Sequence, residues 1–348
     1  MRLEPFLFQP NLHPVVWGGN RLKPWKGLGN DAEPIGESWE VSVVPSSTSI
    51  IANGNFAGQS LADVIEKYPE EVLGASVAHQ YGNKLPLLVK FIDADKDLSI
   101  QVHPDDVMAQ REHGKMGKTE MWYVIDATPE AHLYAGFKQQ ISPYEYEKRI
   151  ADGNITEVLA CHKVSAGDVF YIPAGRVHAI CGGILLAEIQ QSSDVTYRIY
   201  DYNRPDTNGQ LRELHTSLAA QALDYTVERE YRTLYPTREN SANLVVDTPF
   251  FTVRVNEINH PIHRNLIKYD SFIISMCIKG ACKICIRETG DEIMLEEGHS
   301  CLIPASIADY DLIPTDTSNS SRILDAFIDN KDRSLLKMVT RFLHITKK

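Results

Sequence analysis

The chain reads as a mainly β protein made of two related β-domains, with a few short helices inserted in or flanking the first. Three observations predict this. Short runs of alternating or continuous apolar residues recur along most of the 348 residues, bounded by Gly, Pro, Asn and Ser. Few stretches combine helical spacing with start and stop signals. Gly167, five residues, Pro173 is repeated as Gly298, five residues, Pro304. That offset of 131 residues is too long for a solenoid and marks a duplicated domain. The first domain is expected over 1–225 and the second over 240–348.

Composition excludes some classes of partner. Net charge is −11, from 35 basic and 46 acidic residues. This disfavours nucleic acid and anionic membranes; an anionic small substrate would need its own cluster of Lys and Arg. The first ten residues hold no apolar signal region, and no segment reaches the length of a membrane span. Six cysteines without a disulfide spacing suit a reducing cytoplasm. Cys282 and Cys285 lie in a strand-like run, where positions three apart face opposite sides. They read as buried thiols, not as a metal knuckle.

Residues 1–60 are loop-rich β, with an aromatic at the turn Trp17-Gly-Gly19. Ser60 and Asp63 open a helix that continues through Leu61, Val64, Ile65 and Tyr68. Residues 86–92 form a buried strand that contains Lys90. A lysine there snorkels out, pairs with an acid, or points into a cavity that holds an anion. Residues 98–104 alternate, so Gln101 and His103 project from one face and Pro104 ends the strand. A short polar helix follows from Asp105 to about His113. Strand patterning resumes over 117–125, with Lys118, Glu120 and Trp122 on one face.

Ser142, Pro143 and Glu145 start a second helix, and Gly153 suits its exit. Residues 166–178 give a turn, a strand, a tight Pro/Gly loop, and His178 entering the next strand. Further strands are expected over 184–190 and 194–202, and a helix over 214–224. Residues 225–245 are polar and read as a linker. In the last third, 272–278 and 281–286 flank Lys279-Gly280 as a hairpin. Asp309 stands where the first copy has His178, so a metal site that used that histidine is expected to be missing from the second copy. An amphipathic segment over 335–343 should pack back on the body.

Gly167-x5-Pro173-x-Gly175-x2-His178 resembles the second half-motif of cupins, small jelly-roll barrels that hold a metal in the barrel mouth. The resemblance implies two cupin (jelly-roll β-barrel) domains. The first half-motif departs from most cupins, with Gln101-Val-His103 where two histidines are usual and Glu120 following 17 residues later. Four segments together resemble the class I mannose-6-phosphate isomerases, also called phosphomannose isomerases. They are 98–104 (LSIQVHP), 117–120 (GKTE), 172–178 (IPAGRVH) and 197–201 (YRIYD). Only 58 positions separate Glu120 from His178, as in the short bacterial form.

That resemblance implies one zinc per chain, held by Gln101, His103, Glu120 and His178. The nitrogen and oxygen donors also suit manganese, cobalt, nickel or iron. It implies exchange of the aldehyde of mannose 6-phosphate with the ketone of fructose 6-phosphate through a cis-enediol. Lys118 stands at the family's catalytic lysine, as base or as partner of a carboxylate. Arg198 matches the active-site arginine, suited to an enediolate or a phosphate. Glu188 lies ten residues before Arg198, as in the family, either catalytic or a partner of Arg or Lys. Trp17, Lys90 and Asp194 are the expected substrate-binding residues. Ala179-Ile180 replaces the usual Ala-Tyr and removes one substrate-facing hydroxyl. Three other readings stay open: an isomerase of a different sugar or sugar phosphate, a non-catalytic sugar-binding or regulatory bicupin, and a metal-dependent oxygenase, which in cupins usually presents more histidines.

Overall fold

The computed structural model describes residues 3–30, 33–205 and 209–329; the expected segment at 335–343 lies outside them. The chain forms two compact units. One comprises residues 10–47 and 87–234, the other residues 3–9, 48–86 and 235–329. The expected division ran by chain order, whereas contacts group the strand Phe6–Leu7 and the helices Leu61–Lys67, Pro69–Leu73 and Ala75–Tyr81 with the second barrel. Helices thus flank the second barrel as well as the first. The two later helices bury Val72, Leu73, Val77 and Ala78, and Asp270 accepts the Ala75 and Ser76 N–H groups.

The first unit pairs two antiparallel sheets. One runs Leu12–His13, Glu37–Val41, Leu87–Ala94, Ile184–Gln191, Glu120–Ala127, Val169–Ile172. The other runs Tyr197–Tyr200, Ile100–Val102, His178–Ile180, His132–Phe137, Leu159–Lys163. The second sheet shows why its strands alternate. Ile100, Val102, Val177, Ala179, Tyr197 and Ile199 form one apolar cluster with Tyr146 and Ala219. Those two residues come from the helices Pro143–Ala151 and Thr216–Ala222. Gln101, His178 and Arg198 alternate with these residues and so share the opposite face. Ser142 caps the first of those helices at the Glu145 N–H, as expected from its sequence.

The interior changes character at one level. Leu186 pairs with Ile92 and Val124, and all three join the apolar interior cluster. Two residues further, Glu188 pairs with Lys90 and Trp122; two further again, Gln190 pairs with Glu120. Aliphatic side chains, each worth about 1.5–3 kcal/mol when buried, hold one half of the barrel. Charged and amide groups occupy the other half.

The second barrel repeats this frame. Its sheets run Phe6–Leu7, Ser300–Ile303, Ile273–Lys279, Ser321–Phe327, Thr252–Ile258, Ser241–Asp247 and Ile262–Asn265, Asp309–Pro314, Ala281–Ile286, Glu292–Glu296. Ser300–Ile303 and Asp309–Pro314 occupy the places of Val169–Ile172 and His178–Ile180, as the repeat predicts.

Three expectations are corrected. Ile273–Lys279 and Ala281–Ile286 are not a hairpin, because they join different sheets. Gly280, at φ +70°, is the corner between them, a conformation that glycine tolerates. The linker expected over 225–245 is not free: Tyr231 is buried, its hydroxyl donates to the Phe137 carbonyl at 2.8 Å, and Ser241 already begins the strand Ser241–Asp247. The strand expected over 194–202 is only Tyr197–Tyr200. Among the described residues, no helix is long and apolar enough to cross a membrane.

Candidate metal centre

His103, Glu120 and His178 converge in the polar half of the first barrel. His178 opens its strand, Glu120 opens the strand beside Val169–Ile172, and His103 follows Ile100–Val102. All three are almost fully buried, and one ligand atom from each lies within 4.8 Å of the others.

Backbone carbonyls decide the state of both imidazoles. His103 Nδ1 is 3.0 Å from the Val195 carbonyl, and His178 Nδ1 is 2.8 Å from the Arg176 carbonyl. A carbonyl only accepts, so each Nδ1 carries the proton and each Nε2 keeps its lone pair. Burial lowers both pKa values, that of His103 to about 3, so the rings stay neutral. The two Nε2 atoms each lie 3.4 Å from an oxygen of Glu120. Burial opposes the Glu120 charge, but Lys118 together with His103 and His178 outweighs it and holds the carboxyl well below the usual range.

Lone pairs therefore face lone pairs. Glu120 Oε1 and His178 Nε2 are buried without a hydrogen-bond partner, and Glu120 Oε2 is met by an ammonium rather than by a neutral donor. Lys118 brings this cation, with Nζ 2.9 Å from Glu120 Oε2 and 3.1 Å from His103 Nε2. Two neutral imidazoles and a carboxylate fit a divalent metal, which would satisfy the surplus of acceptors. Gln101 stands opposite both His178 and Arg198 in strand register, between them on the interior face.

The remaining expected residues divide. Glu188 and Lys90 are buried at the same level, 3.3 Å apart, and Trp122 Nε1 donates to Glu188 Oε2 at 3.2 Å. Burial raises the Glu188 pKa. Burial works against the Lys90 charge, but Glu37, Glu188 and Glu120 outweigh it and raise its pKa. Trp17 lies lower, in the apolar cluster with Ile92, Trp122 and Leu186. Arg198 donates from Nη1 to the Glu213 carbonyl at 2.9 Å, while its Nε is buried without a partner. Asp194 is not brought to the cluster. It precedes the shortened strand and forms an exposed pair with Lys115 at 2.6 Å.

The sequence reading missed Glu37 and Trp39. Trp39 lies opposite Lys90, its ring centroid 4.8 Å from Nζ, and its indole N–H donates to Glu37 Oε2 at 2.6 Å. Glu37 in turn lies 3.5 Å from Lys90. Period two from Trp39 would have put Glu37 on the same face, but only strand pairing shows that this face meets Lys90.

Comparison with known proteins agrees with this geometry. Residues 6–165 match the model of the phosphomannose isomerase type I catalytic domain, and residues 240–314 match the mannose-6-phosphate isomerase cupin domain. Mannose-6-phosphate isomerase of Streptococcus mutans is 33% identical over 308 residues, 88% of this chain and 94% of that protein. The crystal structure of mannose 6-phosphate isomerase from Bacillus subtilis superposes with a TM-score of 0.83 at 32% identity, covering 93% of this chain and 99% of that one. The apo enzyme from Salmonella typhimurium shares the fold, with a TM-score of 0.73 at 16% identity over 94% of this chain and 100% of that one. With two cupin barrels in the same order and a third of its residues identical across nearly the whole length of such enzymes, the chain belongs to the type I mannose-6-phosphate isomerase family.

Proposed function

We propose that this protein is a zinc-dependent isomerase that interconverts mannose 6-phosphate and fructose 6-phosphate through a cis-enediol. The observation that carries this reading is the convergence of His103, Glu120 and His178, with buried acceptors on Glu120 and His178 that lack a neutral donor. Family membership supplies the substrate. Gln101, His103, Glu120 and His178 would hold the zinc, which when bound would polarise the carbonyl or hold the sugar hydroxyls.

The chain's own groups do the rest. The Val195 and Arg176 carbonyls hold the imidazole rings in one tautomer, so no reorientation is needed on binding. Lys118, as the neutral amine once a metal rather than Lys118 balances Glu120, would remove the proton at C2 and return it at C1, with the hydroxyl proton passing from O2 to O1. Arg198 opposes the negative charge of the enediolate or of the phosphate, to which its planar fork offers fixed donors. Glu188 is the alternative base, and burial suits it to hold a proton. Lys90 would meet the substrate at the level of Glu188, whereas Trp17, packed in the apolar cluster, would support that level from below. Asp194, committed to Lys115, is left out. The six cysteines are free thiols, as a cytoplasmic enzyme would keep them.

The test is direct. Purified protein mixed with fructose 6-phosphate should form mannose 6-phosphate, lose activity to a chelator, and regain it with zinc. Absence of product with zinc present would refute the reaction. Full activity after complete metal removal would refute the zinc.

A further inference from the structure

The Ile184–Gln191 strand ends in an amide that faces away from the metal cluster. Gln191 is 2% exposed, and an amide so buried needs partners at both ends. It has them. Its Oε1 accepts the Thr119 backbone N–H at 2.8 Å, and its Nε2 donates to Asp106 Oδ1 at 3.0 Å. The same Asp106 oxygen accepts the Gly117 N–H at 2.8 Å. The Gln191 backbone N–H donates to the Thr119 carbonyl at 3.0 Å, and the Lys118 N–H donates to the Pro104 carbonyl at 3.1 Å.

Gly117, Lys118 and Thr119 are therefore tied at every backbone N–H. The segment is also pressed close: a Cβ on Gly117 would come within 2.5 Å of the Asp105 carbonyl carbon and the Asp106 nitrogen. Lys118 and Glu120 leave from this stretch. Their aim sets the 2.9 Å ion pair and the 3.4 Å spacing of Glu120 to both histidines. An error of about 1 Å in such a site can cost about a hundredfold in rate.

We propose that Gln191 and Asp106 are positioning residues for the metal and base, acting as a clamp on residues 117–119. Neither touches the converging ligand atoms. The clamp rests on the metal and isomerase reading, and its test separates the two.

Cobalt(II) is the probe, since its visible spectrum reports ligand geometry. Gln191→Met, Gln191→Glu and Gln191→Glu with Asp106→Asn are compared with the unmodified protein. The measurements are Co2+ affinity, the visible band, the metal-free thermal midpoint, kcat and KM. Gln191→Met should lose Co2+ affinity about tenfold and shift the band. Its kcat should fall while KM stays within about twofold. Gln191→Glu places a carboxylate against Asp106 and should bind Co2+ more weakly still; Asp106→Asn should restore part of that loss. Wild-type Co2+ affinity and band in a folded Gln191→Met would overturn the clamp, whatever its thermal midpoint. If Gln191→Met does not fold, absence of any recovery by Asp106→Asn overturns it instead. Unmodified protein that binds Co2+ but leaves fructose 6-phosphate unconverted would refute the isomerase alone, because the affinity measurements still judge the clamp.

Discussion

The two barrels share strand order and register but fill the same level of the interior differently. Glu120 pairs with Ile172 and Gln190; at the matching place Ile273 pairs with Ile303 and Phe327. His178 lies opposite Gln101, and Asp309 lies opposite Asn265. Glu188 pairs with Lys90 and Trp122, and Asp325 with Arg254 and Ser275. Asp325 is closed off by Ser275 Oγ at 2.7 Å, Asn256 Nδ2 at 2.8 Å and Arg264 Nη2 at 3.0 Å. Asp309 turns to His263 at 2.6 Å. The frame therefore does not make a metal site. A carboxylate matched by donors closes the second interior, whereas an excess of acceptors leaves the first with a place for a cation.

The largest expected effect would break this contrast. His178→Ala should release the metal while the fold survives. Glu120→Gln should cost at least the ~10–100-fold in affinity that loss of a ligand's supporting contact costs. Asp309→Ala should change nothing, and elemental analysis should give one metal per chain before and after it. Two equivalents in the unmodified chain would give the second barrel a site.

Lys118→Met sharpens the assignment within the first barrel. It should keep the zinc and lose exchange of the C2 proton of mannose 6-phosphate with deuterated water. Wild-type exchange would move the base to Glu188.

On the other side of the comparison, Asp325→Leu strands Arg264 in the second interior. Urea denaturation should show a loss of about 3–5 kcal/mol. Adding Arg264→Met should recover most of it, and metal content should not change.

A smaller effect concerns pH. His103 and His178 stay neutral in the folded chain but protonate near 6.5 once unfolded. The unfolded state then binds more protons, so stability is full above pH 6.5 and falls towards the His103 value of about 3. The metal-free protein should lose about 1.4 kcal/mol per pH unit for each such histidine. His103→Gln should flatten that slope, and an unchanged slope would place the titration elsewhere.

Arg198→Lys should have the mildest effect, keeping the charge but losing the fork. A fall in kcat would assign Arg198 to the enediolate, and a rise in KM to the phosphate. No change in either would remove it from the mechanism.

Much of this was legible in the residues. Ser60, Asp105 and Ser142 each cap the helix that follows them, because capping is a contact over three residues. The repeat at Gly167 and Gly298 revealed the duplicated barrel. His103, Glu120 and His178 were visible as a group through the motifs that resemble the family. Less was legible wherever a residue's meaning lay in a distant strand. Asp194 shares its parity with Arg198 but falls outside the strand, so parity carried no information there. The polar composition of 225–245 concealed its anchors, Tyr231 and the Arg232–Thr233 pairing with Val169–Phe170 among them.

The sequence alone determined the β class, the helix starts and the duplication, since turns, caps and period-two alternation are set by neighbours in the chain. Only the tertiary structure decided which sheet each strand joins, as Gly280 shows by parting two strands that look like a hairpin. It alone brought Glu37 and Trp39 to Lys90, and Gln191 to Thr119, across separations of 51 to 72 residues. It also decided that Asp325 would be satisfied and Glu120 would not. A buried charge is balanced by whatever strand pairing sets beside it, and that pairing is not a local property of the chain.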